Sequence, residues 1–192
     1  MTTSDSTLND AAVALLAKFR LRAEPLGVVV GHAADANAAA AFIADLAASW
    51  EAGEAVLAPA ALRAVPWLPS ALDGAGLRWR EAESPDTTRD APLGIGVGER
   101  ALAETGSVLM VEATLEDRTV GMLSAGCVML VPVAGLVPGL DDAAPALRRA
   151  ALRGHYATLV TGPSRTADIE RVLTVGVQGP ARVAVLFVDT LD

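Results

Sequence analysis

The sequence predicts an α/β layered domain on a largely parallel sheet, and three observations predict it. Short apolar runs rich in Val and Leu alternate with segments of helical periodicity along the chain. Residues 127–131, read as Cys-Val-Met-Leu-Val, are apolar at every position, as a strand buried within a sheet must be. Helix-capping residues, prolines and glycines fall between the runs and mark where one element hands over to the next.

In order along the chain, residues 6–22 read as a helix with Ser6 or Asn9 as N-cap and Val13, Leu16 and Phe19 or Arg20 at helical spacing. Residues 27–31, three valines between glycines, read as a strand. Asp35 caps a second helix in which Phe42, Ile43, Leu46 and Trp50 line one face. Residues 55–58 form a short buried strand, after which Pro59, Pro66 and Pro69 break the chain into short helical pieces. Residues 77–80 alternate like a strand, and residues 81–92, polar and proline-bearing, read as a mobile loop. Residues 108–111 and 127–131 are strands, with a surface turn at 114–118 between them. Asp141 caps a helix whose last turn carries Arg148, Arg149 and Arg153, with Gly154 just beyond; acid in front and base behind complement the helix dipole. Residues 157–160 are a strand, 165–173 a helix and 182–188 the closing strand. Residues 1–192 are expected to form a single domain, with 1–24 as an N-terminal helix.

Composition narrows the function. The chain has 15 Lys and Arg against 23 Asp and Glu, a formal charge of −8, and no basic run with interleaved aromatics. Phosphate neutralisation needs the opposite balance, so no nucleic-acid partner is expected. One cysteine excludes an intrachain disulfide, a four-cysteine zinc site and a self-contained iron–sulfur cluster. Residues 119–140 carry no charge, but Pro132, Pro138 and four glycines would break a membrane helix there. The first ten residues lack a basic and apolar leader pattern, and the expectation is a cytoplasmic protein that does not enter the membrane.

Few residues offer catalysis. His32 and His155 read as ordinary loop residues, and Cys127, in the middle of an apolar run, as a small buried hydrophobe with an unactivated thiol. Residues 96–101 match G-x-G-x-x-A without a clear preceding strand, and read better as a flexible glycine loop than as a nucleotide fingerprint. No metal site is expected on this residue supply.

Two segments are richer. Residues 161–170, Thr-Gly-Pro-Ser-Arg-Thr-Ala-Asp-Ile-Glu, follow a buried strand, where open α/β sheets place ligands. Gly162, Ser164, Arg165, Thr166 and Asp168 are the candidate binding residues, Arg165 offering a planar fork to carboxylate or phosphate. The same residues serve equally as helix caps, with Arg165 paired to a neighbouring acid. Residues 104–107 precede the strand at 108–111 and supply Thr105, Gly106 and Ser107 as further ligand candidates, with Glu104 as the candidate nucleophile or base. They read equally as turn chemistry.

These two segments, with Val175-Gly176-Val177-Gln178-Gly179-Pro180 before the last strand, resemble the lactate-utilisation protein C family (LutC/YkgG), whose domain is the LUD domain. The resemblance is strong over residues 94–189. It implies a three-layer α/β/α fold of the NagB/RpiA/CoA-transferase-like group. It also implies an accessory role in oxidising L-lactate to pyruvate, beside partner subunits that carry iron–sulfur clusters, this chain holding no cofactor. The fold group implies an alternative: a small-anion-binding module, or an enzyme akin to the CoA transferases, sugar-phosphate isomerases and cyclo-ligases. The sequence departs from the family's pattern at Cys127 and Gln178, where the family commonly has His.

Overall fold

A computed structural model describes residues 8–168, 172–175 and 179–191. The elements begin with α1 (Asp10–Ala23), β1 (Val28–Ala33), α2 (Ala36–Ser49), β2 (Glu54–Leu57), α3 (Pro59–Ala64) and α4 (Leu68–Gly74). They continue with β3 (Arg78–Glu81), α5 (Pro85–Thr88), β4 (Leu93–Leu102), β5 (Ser107–Glu112), α6 (Leu115–Leu123) and β6 (Gly126–Pro132). The last are β7 (Leu136–Val137), α7 (Leu140–Leu152), β8 (Tyr156–Val160), β9 (Arg165–Asp168), β10 (Val172–Val175) and β11 (Arg182–Val188).

Six strands run parallel in the order β1-β11-β6-β4-β2-β3, so the largely parallel α/β sheet expected from the sequence is present. The central strands are apolar at nearly every position because both faces are covered. Along β6, Val128 and Leu130 enter one core while Cys127, Met129 and Val131 enter the other; along β11, Ala184 and Leu186 oppose Val183, Val185 and Phe187. On the first face lie α2, α3 and α4 through Ile43, Leu46, Ala61, Leu68 and Leu72, with Val120 of α6. On the second, Leu16, Phe19 and Ala23 of α1 pack down, and Phe19 meets Phe187 edge-on with ring centroids 5.2 Å apart.

The second face holds a layer that the sequence did not predict. Beyond Gly98 the strand β4 leaves β6, shifts register at a bulge between Gly98 and Arg100, and pairs antiparallel with β5, which pairs antiparallel with β8. This ladder folds back over the parallel sheet. A Cβ on Gly98 would lie 2.3 Å from Val108 Cγ1 and 3.0 Å from Val131 Cγ2, so only a glycine lets β5 approach this closely. The turn between β4 and β5 holds Gly106 at φ +70°, where a Cβ would press to 2.8 Å from the backbone nitrogen of Ala23. Helix α7 then covers the outer side of the ladder, Ala143 and Ala146 packing on Leu102 and Leu109.

Several expectations need correction. Where a helix is expected over 165–173, the described residues are paired strands: β9 and β10 run antiparallel from Asp168↔Val172 to Arg165↔Val175, and the β-branched Thr166, Val172, Thr174 and Val175 favour that state. The glycine loop at 96–101 is the middle of β4, its glycines needed for close packing rather than flexibility. The turn at 114–118 is the N-terminus of α6, where the Thr114 hydroxyl accepts from the Asp117 amide at 3.1 Å. Within 81–92, α5 is closed by a Ser84–Thr87 capping box, and Thr88 is fully buried. Asp141 lies in the first turn of α7, whose N-cap is Gly139 and whose Asp142 Oδ2 accepts from the Gly139 amide. His32 belongs to β1, where its Nε2 lies 2.7 Å from Asp189 Oδ1. Asn9 caps α1 by accepting from the Ala12 amide; Ser6 lies outside the described residues. No helix among those described is long and apolar enough to cross a membrane.

Candidate functional site

The residues singled out in the sequence come together only in part. Glu104, Thr105 and Gly106 form the turn between β4 and β5, and Ser107 opens β5. Residues 161–164 connect β8 to β9. Because Val108 pairs with Val160, Ser107 stands beside Thr161, and their hydroxyl oxygens lie 2.6 Å apart; Thr105 donates to Ser107 Oγ at 2.8 Å. Both segments reach the junction between α1 and β1. Gly106 packs against Arg22 and Ala23, Gly162 lies against Leu26 and Val28, and the exposed Arg165 donates from Nη2 to the Leu26 carbonyl at 2.6 Å. Ser164 donates its amide to the Pro180 carbonyl at 3.0 Å.

Glu104 looks elsewhere. Its amide donates to the Pro138 carbonyl, and its side chain lines an open hollow of about 430 Å³ with Lys18, Gly139, Asp141 and Asp142. Arg165 does not line that hollow. Of Thr166 and Asp168 the structure describes the backbone, in β9; Glu170 and Gln178 lie outside the described residues.

A more enclosed space sits where the ladder folds over the sheet. It is a cavity of about 90 Å³. Met110 and Glu112 reach it from β5, and Thr158 and Val160 from β8. Its floor is Cys127 and Met129 of β6 with Val183 of β11, and Pro180, ahead of β11, closes one side. Gly121 and Met122 of α6 lie above it, and the exposed Met122 and Tyr156 mark its mouth. The Arg118 guanidinium stacks 4.6 Å over the Tyr156 ring there.

Two polar groups enter this apolar space. Glu112 is only 7% exposed, and no hydrogen-bond donor among the described residues reaches its carboxyl; a Cβ added at Gly121 would lie 3.5 Å from its Oε1. Burial pushes this carboxyl up from 4.5 to about 7, opposed by the charge of Arg118 and assisted by that of Asp117. Glu112 is therefore divided between its neutral and ionised forms near neutral pH, able to donate a hydrogen bond or exchange a proton. The Thr158 hydroxyl oxygen is buried and has no partner among the described residues. Cys127 is buried, and its thiol is pushed up to about 12 by desolvation and by the Glu112 charge. It is a neutral wall and no nucleophile, in keeping with the sequence reading. Among the described residues, no group of three or more His, Cys, Asp or Glu side chains is placed to hold a metal ion.

Sequence reasoning missed Glu112 and Thr158. The signal for Glu112 was parity. Val108, Met110 and Glu112 alternate along one strand and so share a face, and a carboxylate at the end of an inward-facing row is out of place unless it is used. Thr158 sits opposite Met110 only through the β5–β8 pairing, a partnership no local pattern reveals.

Fold and cavity together define a layered α/β protein with a parallel central sheet and an internal, carboxyl-bearing chamber of small-molecule size. The chain belongs to the LUD domain family, whose model matches residues 16–188. It is 37% identical over 103 residues to lactate utilization protein C 1 of Bacillus mycoides (strain KBAB4), covering 52% of this chain and 44% of that one. It is 29% identical over 147 residues to lactate utilization protein C of Exiguobacterium sp., covering 72% and 63%. Against the Bacillus subtilis (strain 168) protein of that name it is 33% identical over 110 residues, covering 55% and 46%. The chain thus spans about half the length of the curated relatives it matches. Among solved structures, a DUF162 family protein from Deinococcus radiodurans shares the fold, with a TM-score of 0.69 at 20% identity over 92% of this chain and 98% of that one.

Proposed function

We propose that the chain is a component of an L-lactate utilisation system, acting in the cytoplasm beside iron–sulfur subunits in the oxidation of lactate to pyruvate. The observation that carries this reading is the LUD domain match over residues 16–188, together with the lactate utilization protein C names of its relatives. The cysteine supply accords with that division of labour. One buried cysteine with its thiol held neutral supports placing cluster ligation and electron transfer on other chains. The test is genetic and physical. Deleting the gene is expected to abolish growth on L-lactate as sole carbon source while sparing growth on pyruvate, and the tagged chain is expected to co-purify with cysteine-rich subunits. A deletion strain that grows normally on lactate would overturn the reading.

A second reading is a small-anion-binding module, or an enzyme akin to the CoA transferases, isomerases and cyclo-ligases, working through Arg165 with the hydroxyls of residues 105–107 and 161–164. It is favoured by the Thr105–Ser107–Thr161 hydroxyl chain and the exposed Arg165 fork, both set against the α1–β1 junction. Here Arg165→Ala is expected to remove stabilisation by phosphate, pyruvate or CoA esters in a thermal-shift assay while leaving the melting temperature of the free protein nearly unchanged. If none of these anions stabilises the unaltered protein, this second reading is lost.

A further inference from the structure

We propose that the chamber between the β5–β8 ladder and the parallel sheet is a binding site for a small uncharged carbonyl compound, whose oxygen is held by the side chains of Glu112 and Thr158. The two residues lie on the same face of adjacent antiparallel strands. Glu112 stands opposite Tyr156, and Thr158 opposite Met110, so they are diagonal neighbours within reach of one ligand atom. Both open into the chamber, and neither is hydrogen-bonded to a described residue. Native interiors seldom leave a buried hydroxyl and a buried carboxyl unpartnered, and a guest that accepts from both removes that cost.

The rest of the chamber sets the ligand class. Val160, Val183, Cys127 and the methionines offer no charge, and an anion drawn inside would meet the Glu112 carboxylate and no cation among the described lining residues. Arg118, the one cation paired electrostatically with Glu112, stands at the mouth over Tyr156. A neutral acceptor is therefore favoured over a carboxylate or phosphate. The size, about 90 Å³, suits roughly four non-hydrogen atoms, since an apolar cavity of about 150 Å³ takes up benzene with its six. Every methionine after Met1 lines this one chamber: Met110, Met122 and Met129. Unbranched thioethers re-pack at little cost, which lets the walls adjust to a guest.

Donation from Glu112 requires its neutral form, so binding weakens as pH rises through the range where burial holds this carboxyl. The titratable and charged groups facing Glu112 are Asp117 and Arg118 on α6, Cys127 on β6 and Tyr156 on β8. The Cys127 thiol, pushed up to about 12, stays neutral over the pH range used below. A carboxylic acid held neutral in an apolar pocket, donating beside a hydroxyl to a carbonyl oxygen, is an established way to bind and polarise such a group.

The experiment is methyl NMR of the full chain labelled with 13C at its methionine methyls, titrated with acetone as a neutral acceptor and with acetate as its anionic counterpart. The expected result is a saturable shift of the Met110, Met122 and Met129 signals by acetone at about pH 5.5, weakening at least ~10-fold by about pH 8.5. Glu112→Gln, which keeps a donor but cannot titrate, is expected to bind equally at both pH values. Thr158→Val is expected to bind ~5- to 10-fold more weakly at about pH 5.5. The absence of a saturable shift, equal affinity of the unaltered protein at the two pH values, or acetate binding as tightly as acetone at about pH 8.5 would each overturn the proposal. It does not rest on the lactate reading: growth on lactate and occupancy of this chamber are separate measurements, and either can fail alone.

Discussion

Replacing Glu112 by Gln should make the protein more stable above neutral pH, and the size of the gain follows from where the carboxyl sits. Burial holds its folded-state value near 7 against 4.5 for a free group. An acid raised on folding stabilises the native state most when both states are protonated, below 4.5, and that contribution is lost as pH rises through 7. Over this window the unfolded chain has released its proton and the folded chain has not. Stability falls by about 1.4 kcal/mol per pH unit, or at most ~3.4 kcal/mol in all, less whatever water at the cavity mouth recovers. Gln keeps the shape and never ionises. Urea titrations of both proteins across about pH 4 to 8.5 should therefore give equal stabilities at the acid end. At the basic end the Gln variant should gain about 2–3 kcal/mol, which in a chain of this size raises the melting temperature by roughly 4–12 °C. Taking the difference between the two proteins cancels the other carboxylates. A difference that is flat with pH, or a Gln variant that is less stable at pH 8, would refute the assignment of a desolvated, unpartnered carboxyl.

Other substitutions probe the packing. Gly98→Ala forces a methyl into Val108 and Val131, and should cost about 1–3 kcal/mol in urea unfolding; a neutral effect would mean the ladder sits less tightly on the sheet. Phe19→Ala removes the edge-on partner of Phe187 from beneath α1 and should cost ~3–5 kcal/mol. Cys127 should resist a thiol reagent such as DTNB in the native protein and react fully in denaturant; rapid native labelling would contradict its burial and the elevated value of its thiol.

How much of this was legible in the sequence depended on how local the cause was. The runs at 127–131 and 182–188 announced buried parallel strands because both faces of each are covered, leaving no polar alternation to misread. Asn9 and Asp35 marked helix starts because capping is decided within three residues. Strand β4 was hidden because Gly96 and Gly98 carry the local signature of a turn, and only the overlying Val108 and Met110 explain them. The pairing of β9 with β10 was hidden because the acids and Arg at 165–170 imitate a helix start, while most of the β-branched residues that decide it lie further on. The LUD motifs were legible as motifs, but their grouping was not. That Ser107 meets Thr161, whereas Glu104 turns toward Lys18 and α7, is set by strand pairings between residues far apart in the chain.

Strand β4 belongs to two ladders at once: its first half is hydrogen-bonded between β2 and β6, and its second half to β5 and β7. Neither ladder can come apart without dislodging a strand that the other requires. Melting should accordingly be all-or-none, with Trp50 and Trp79 on the sheet side and Tyr156 on the ladder side losing their native signals at one denaturant concentration. A chamber walled by both ladders then persists for as long as the molecule is folded at all.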